Sequence, residues 1–244
     1  MRFGDVPWVR AALIQGQKAA GWAWDANNLP DANTILKYPL NDNAANTNVT
    51  DDANAYTGTA SSNTSNIYNA GGQFGGCFFG NETYYVDNAT AALIAAVSAA
   101  QRANCTIGIW LKSNVADWST KGTAYIWRMS PAAGGDNIFT LIYRDATDKF
   151  ELQYCWNGGS VTVNVAAPTV IDTTTWHAIH ATVSIASDTV TLYADGVELA
   201  HLHGLTAIDA AACTTVQIMS GAAVHADKWH GYCDLFTIDN KVRF

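Results

Sequence analysis

The chain has 244 residues, of which 49% are apolar and only 14% charged, and its formal net charge is −8. That length suits one large all-β domain with ample core material, and the sparse charge leaves solubility to Asn, Thr, Ser and Asp. No run of Lys or Arg can follow a phosphate backbone, and no apolar stretch reaches the roughly 18 residues of a membrane span; both nucleic-acid binding and membrane insertion lack support.

Residues 5–21 read as an amphipathic helix. Asp5 caps it, Pro7 fits the first turn, Val6, Val9, Leu13 and Ile14 share one face, and Gly21 stops it. Trp8, Trp22 and Trp24 add aromatic surface before a polar link through Asn27, Asn28 and Pro30. Residues 1–33 are therefore expected to form an arm ahead of a domain over 34–244, docked on that domain or on a neighbour because its apolar face would otherwise stay wet. Asp5 and Arg10 interrupt the apolar run that a secretory signal needs, so no cleaved signal peptide is expected and Met1 reads as the mature start.

From Thr34 the pattern turns to strands, with Ile35, Lys37 and Pro39 alternating with Leu36, Tyr38 and Leu40. A polar stretch up to Gly72 is expected to hold short strands. Residues 90–102 form a second helical patch, Ala-rich, with Leu93, Ile94 and Val97 on one side. A period-two strand follows with Cys105, Ile107, Ile109 and Leu111 on one face. Further strand-like runs fall at 123–129, 138–144, 149–155, 161–165, 177–185, 189–194, 197–201, 214–219 and 232–238, separated by turn signals such as Gly158-Gly159 and Asp195-Gly196. This spacing predicts an all-β, two-sheet antiparallel sandwich with an N-terminal helical arm and one inserted helix.

The five cysteines, at 77, 105, 155, 213 and 233, are odd in number and hold no Cys-x-x-Cys spacing, which leaves a zinc site unsupported. Buried free thiols are the expected reading, with a disulfide framework as the alternative. Sequons at Asn48, Asn63, Asn81, Asn88 and Asn104 read as chance products of an Asn- and Thr-rich chain.

Four segments carry a resemblance. Thr106-Ile107-Gly108-Ile109-Trp110-Leu111-Lys112, Trp176-His177-Ala178-Ile179, Thr191-Leu192-Tyr193-Ala194-Asp195-Gly196-Val197 and Gly231-Tyr232-Cys233-Asp234-Leu235-Phe236-Thr237-Ile238 follow one another as they do in laminin-G-like jelly rolls. The chain thus resembles the concanavalin A-like lectin/glucanase superfamily over about 36–240. The resemblance implies a jelly roll in which His177 is a satisfied core histidine, Asp195-Gly196 a tight hairpin, and Asp234 a partner of a neighbouring loop backbone or a residue near a calcium site. These are signatures of fold rather than activity.

The same fold class hosts glycoside hydrolases, whose retaining members need two carboxylates about 5 Å apart. The three glutamates, Glu82, Glu151 and Glu198, have no acidic partner at the required spacing, and no Gly-x-Ser-x-Gly elbow exists, so no catalytic residues are assigned and no enzyme is expected. His201, His203, His225 and His230 make the best metal-like cluster, without a carboxylate to complete it. Sugar sites combine aromatic faces with amides and carboxylates. Trp118, Asp136, Asn137, Trp156, Asn157 and Trp229 are the candidates, because they fall near turns, and calcium can be met by Asp42, Asp51, Asp52 or Asp136.

The arm and the charge-poor surface favour a structural virion component, such as a phage capsid decoration or a tail or fibre accessory, docked by its arm through self-association or a larger assembly and exposing a lectin-like sandwich. A freestanding carbohydrate-binding module on an extracellular surface, with or without calcium, is the alternative.

Overall fold

Alternation of apolar and polar residues dictates which face of each strand meets the core, and here it sorts the chain into two layers. The computed structural model describes residues 30–114, 122–130, 139–156, 159–166, 175–205, 213–220 and 229–243. The helix expected over 5–21, with Val6, Trp8, Val9, Leu13, Ile14, Trp22 and Trp24, lies outside the described residues.

The first strands are β1 (Thr34–Tyr38), β2 (Asn48–Val49) and β3 (Gly58–Ala60), followed by a single helical turn, α1 (Thr64–Ile67). Then come β4 (Tyr68–Asn69), β5 (Cys77–Asn81), β6 (Val86–Asn88), the helix α2 (Ala91–Gln101) and β7 (Asn104–Ser113). The chain continues through β8 (Ala124–Ser130), β9 (Phe139–Arg144), β10 (Lys149–Trp156) and β11 (Gly159–Ala166). It closes with β12 (His177–Ser184), β13 (Thr189–Ala194), β14 (Val197–Leu202), β15 (Thr215–Ile218) and β16 (His230–Asp239). The short strands expected in the polar stretch before Gly72 are β2, β3 and β4.

One sheet runs β14-β13-β12-β7-β16-β5-β4, with β1 also paired to β16, and the other runs β11-β10-β9-β8-β15-β6-β3-β2. The pairings are antiparallel, as expected of a jelly roll. β16 divides its free edge between two partners: Tyr232 and Cys233 face β5, while Phe236 to Asp239 face β1.

The core lies between the sheets. Cys105, Ile107, Ile109 and Leu111 of β7 and Ile179, Ala181 and Val183 of β12 point into it from the first sheet. Trp127, Phe139, Leu141 and Tyr154 meet them from the second, all fully buried. The helix α2 closes one end between the layers. Leu93 and Val97 are buried in the core, and the Gln101 amide Nε2 donates to Met129 Sδ of β8. The Tyr154 hydroxyl of β10 donates to the Gln101 carbonyl at 3.1 Å. Cys77, Cys105, Cys213 and Cys233 are buried free thiols, and burial pushes Cys77 and Cys213 each up to about 12.

Candidate functional site

The outer face of the first sheet carries a second, smaller apolar cluster. The strand alternation that turns Ile109 and Leu111 inward turns Trp110 and Lys112 outward. Trp110 packs there with Ala178 and Leu235, and Phe74 and Trp176 flank the cluster half-buried. Phe74 meets Trp110 edge-on with ring centroids 5.4 Å apart.

Leu235 reaches this face through a bulge in β16. Asp234 pairs with Trp110 and Thr237 with Gly108, so Leu235 and Phe236 together oppose Ile109. Leu235 adopts φ 44°, a left-handed conformation that costs a leucine about 1–2 kcal/mol. The bulge sends Leu235 outward while Cys233 and Phe236 stay in the core.

Beside this cluster a row of side chains crosses three strands. Phe79 of β5 faces Tyr232 of β16, and Tyr232 faces Lys112 of β7. Trp176 completes the row one residue beyond the pairing of His177 with Leu111. The Phe79 and Tyr232 rings lie 5.0 Å apart and tilted by 35°, and Trp176 lies 6.4 Å from Tyr232. The Lys112 ammonium sits 5.1 Å from the Tyr232 centroid and 5.6 Å from that of Trp176, a cation held over two ring faces. All four side chains of the row are half-buried.

Two carboxylates frame the row. Asp234 is buried beside it, opposite Trp110, and accepts the Phe74 backbone N–H at 3.0 Å, which fits the expected loop contact. Burial pushes its carboxyl up to about 7 against three backbone hydrogen bonds that favour the anion. Asp195, at φ 48° ahead of Gly196 at φ 88°, forms the expected hairpin. It ties β12 down by accepting the Ala178 N–H at 2.9 Å and pairing with His177 Nδ1 at 2.6 Å. His177 is thus held through Nδ1, half-buried at the end of its strand, and the histidine deep in the sheet is His180, fully buried and held down at about 3 by desolvation.

The residues expected at a sugar site fare differently. Trp118, Asp136, Asn137 and Asn157 lie outside the described residues, and Trp156 is described only by its backbone, paired with Gly159. Trp229 requires a correction: it is fully buried, not a platform at a turn. A Cβ on Gly231 would stand 2.9 Å from its ring, so the glycine makes room for an indole packed inward.

Among the calcium candidates, Asp51 accepts the backbone N–H groups of Lys37, Ala53, Asn54 and Tyr56 at 2.9–3.0 Å, which makes it a loop staple. Asp42 accepts the Thr50 hydroxyl at 2.6 Å and its N–H at 3.1 Å. Asp52 is exposed, and Asp136 lies outside the described residues. His201 pairs with Glu198 at 2.6 Å, and its ring lies 5.2 Å from that of His203. His230 begins β16, four strand spacings or about 19 Å away, so these histidines do not converge. His225 lies outside the described residues. Among the described residues no group of three His, Cys, Asp or Glu side chains is arranged to hold a metal.

The glutamates are equally scattered. Glu82 follows β5, Glu151 is ion-paired to Arg144 at 2.7 Å on the opposite sheet, and Glu198 sits on β14. The row on the outer face was not singled out from the sequence as a site. Its signal was the outward alternation of Trp110 and Lys112 within β7; its other members arrive from β5, β16 and the lead into β12.

Comparison with known proteins fits this architecture. The binding domain of botulinum neurotoxin DC, solved in complex with rat synaptotagmin II, superposes with a TM-score of 0.62 at 14% identity, covering 86% of this chain and 48% of that one. The receptor binding domain of the botulinum neurotoxin C/D mosaic serotype gives 0.60 at 14% identity with the same coverage. This chain therefore spans about half the length of those solved domains, and the likeness is one of fold. No curated protein matches. A family model described as the concanavalin A-like lectin/glucanases superfamily matches residues 86–243, and the chain belongs to that family.

Proposed function

We propose that this chain is a non-catalytic carbohydrate-binding module whose saccharide seats on the row Phe79–Tyr232–Lys112–Trp176. The row carries the reading: adjacent, half-buried rings on a rigid sheet offer π-faces to the C–H surface of a sugar, and Lys112 supplies donors to its hydroxyls. Three features support a module without chemistry of its own. The glutamates are dispersed, Asp195 is engaged by His177 and the Ala178 N–H, and Asp234 is enclosed beneath Phe74. Titration of a glycan array with the full chain, followed by Trp176→Ala and Tyr232→Ala, tests it. Binding that falls at least tenfold in both variants supports the row as the platform; unchanged binding removes it.

Docking to a virion or other assembly through residues 1–33 is the second reading, and the apolar sequence pattern of Val6, Trp8, Val9, Leu13, Ile14, Trp22 and Trp24 supports it. Solution mass of the full chain against a variant lacking residues 1–30 tests that reading. An oligomer that becomes a monomer on truncation supports an arm that assembles, and two monomers remove it.

A further inference from the structure

We infer that the saccharide taken by this row is acidic, with a carboxylate or sulfate group brought against the Lys112 ammonium. The inference rests on the reading of the row as a saccharide platform and specifies the charge of its ligand.

Lys112 is the observation that carries it. The chain has 21 acidic and 13 basic residues, so a cation has many anions to pair with. Several cations do pair: Arg144 with Glu151, Lys241 with Asp31, and Arg243 with Asp31 and Asp239. Among the described residues, Lys112 has no carboxylate within ion-pair distance, and its contacts are the faces of Trp176 and Tyr232. An ammonium over partly exposed rings gains less than a hydrogen-bonded anion offers once water is displaced. The two rings therefore hold the charge in position without neutralising it.

The surrounding acids do not cancel that charge. Asp195 is turned to His177 and the Ala178 N–H. Asp234 lies beside the row, opposite Trp110, with its Oδ2 accepting the Phe74 N–H, and burial disfavours its anion. Lys112 thus gives a local positive field on the outer face of a net acidic chain. A sugar seated on Tyr232 or Trp176 lies beside the ammonium. An anionic substituent on that sugar gains an ion pair that its neutral counterpart lacks.

The test uses the full chain and saccharide pairs that differ in the anionic group: oligogalacturonate against its methyl ester, sialyllactose against lactose, and sulfated lactose against lactose. The acidic member of at least one pair is expected to bind tenfold or more tighter, and which pair does so separates carboxylate from sulfate. Lys112→Gln should abolish the preference, bringing both members of each pair to the same affinity, and Lys112→Arg should keep it. Equal affinity within every pair, lost in Trp176→Ala, overturns the acidic inference and leaves the platform standing. A preference that survives Lys112→Gln also overturns it. Binding to no saccharide, or binding indifferent to Trp176→Ala, overturns the platform and the inference together.

Discussion

Asp234 and Phe74 are 160 positions apart, yet the Phe74 N–H donates to Asp234 Oδ2 at 3.0 Å. That bond fastens the loop before β5 to the bulged strand β16 and holds the Phe74 ring edge-on against Trp110. A Cβ on Gly72 would stand 2.9 Å from the same Oδ2, so the loop can close this tightly only with glycine there. The carboxyl beside the aromatic row is a structural clamp, and its burial makes it sensitive to pH.

The folded-state carboxyl of Asp234 titrates at about 7, against 3.8 when unperturbed. Between those values the folded chain holds a proton that the unfolded chain has released, so this residue lowers stability as pH rises from about 4 to about 7. Its contribution is flat below and above that window. Urea denaturation across pH 4–8 should show this falling component disappear in Asp234→Asn; identical pH profiles would remove the assignment.

His180 works in the opposite sense. Desolvation holds it at about 3 against 6.5, so the unfolded chain binds the extra proton and stability is lost as pH falls from about 6.5 toward 3. The two residues oppose each other across much of the same range. Asp234→Asn should therefore leave a profile that rises with pH, and His180→Gln one that falls. The same slope in both variants would show that neither residue controls it.

Arg243 donates to Asp31, Thr34 and the buried Asp239. Burial raises the Asp239 carboxyl and Arg243 counters it, so Arg243→Ala leaves a buried carboxylate unpaired, at a cost of about 3 kcal/mol near neutral pH. Adding Asp239→Asn should recover part of that loss in chemical denaturation. Recovery of nothing would mean that Arg243 acts through packing alone.

Asp51 accepts four backbone N–H groups, and Asp51→Ala orphans them together. A loss of about 2–4 kcal/mol is expected, smaller in Asp51→Asn, which keeps one acceptor oxygen. Thermal melts with and without a calcium chelator check the role. A calcium ligand would make the chelated wild type as weak as Asp51→Ala, whereas a loop staple leaves it unchanged.

The strands were legible because their alternation is local. Cys105, Ile107, Ile109 and Leu111 announce β7 within one window, and Leu93 and Val97 announce α2 in the same way. The four segments that carried the family resemblance occupy β13, β12, β7 and β16, consecutive in one sheet. The site was not legible, because its members meet only through register. Phe79 and Lys112 reach Tyr232 from β5 and β7, and sequence distance gives no hint of it. Trp229 misled for the complementary reason: its position near a turn looked exposed, and only its packing against Gly231 reveals that it faces inward.

Because β1 pairs with the C-terminal half of β16, Asp31 and Lys241 meet in an ion pair of 2.8 Å at the edge of the sheet. The aromatic row lies on the other half of β16. Along β7, Thr106 next to Asp239 and Lys112 next to Tyr232 are six residues, or about 20 Å, apart. Asp31 and Lys241 therefore bring the two ends of the sandwich together at one edge, and the aromatic row stands at the far end of the same sheet, clear of both.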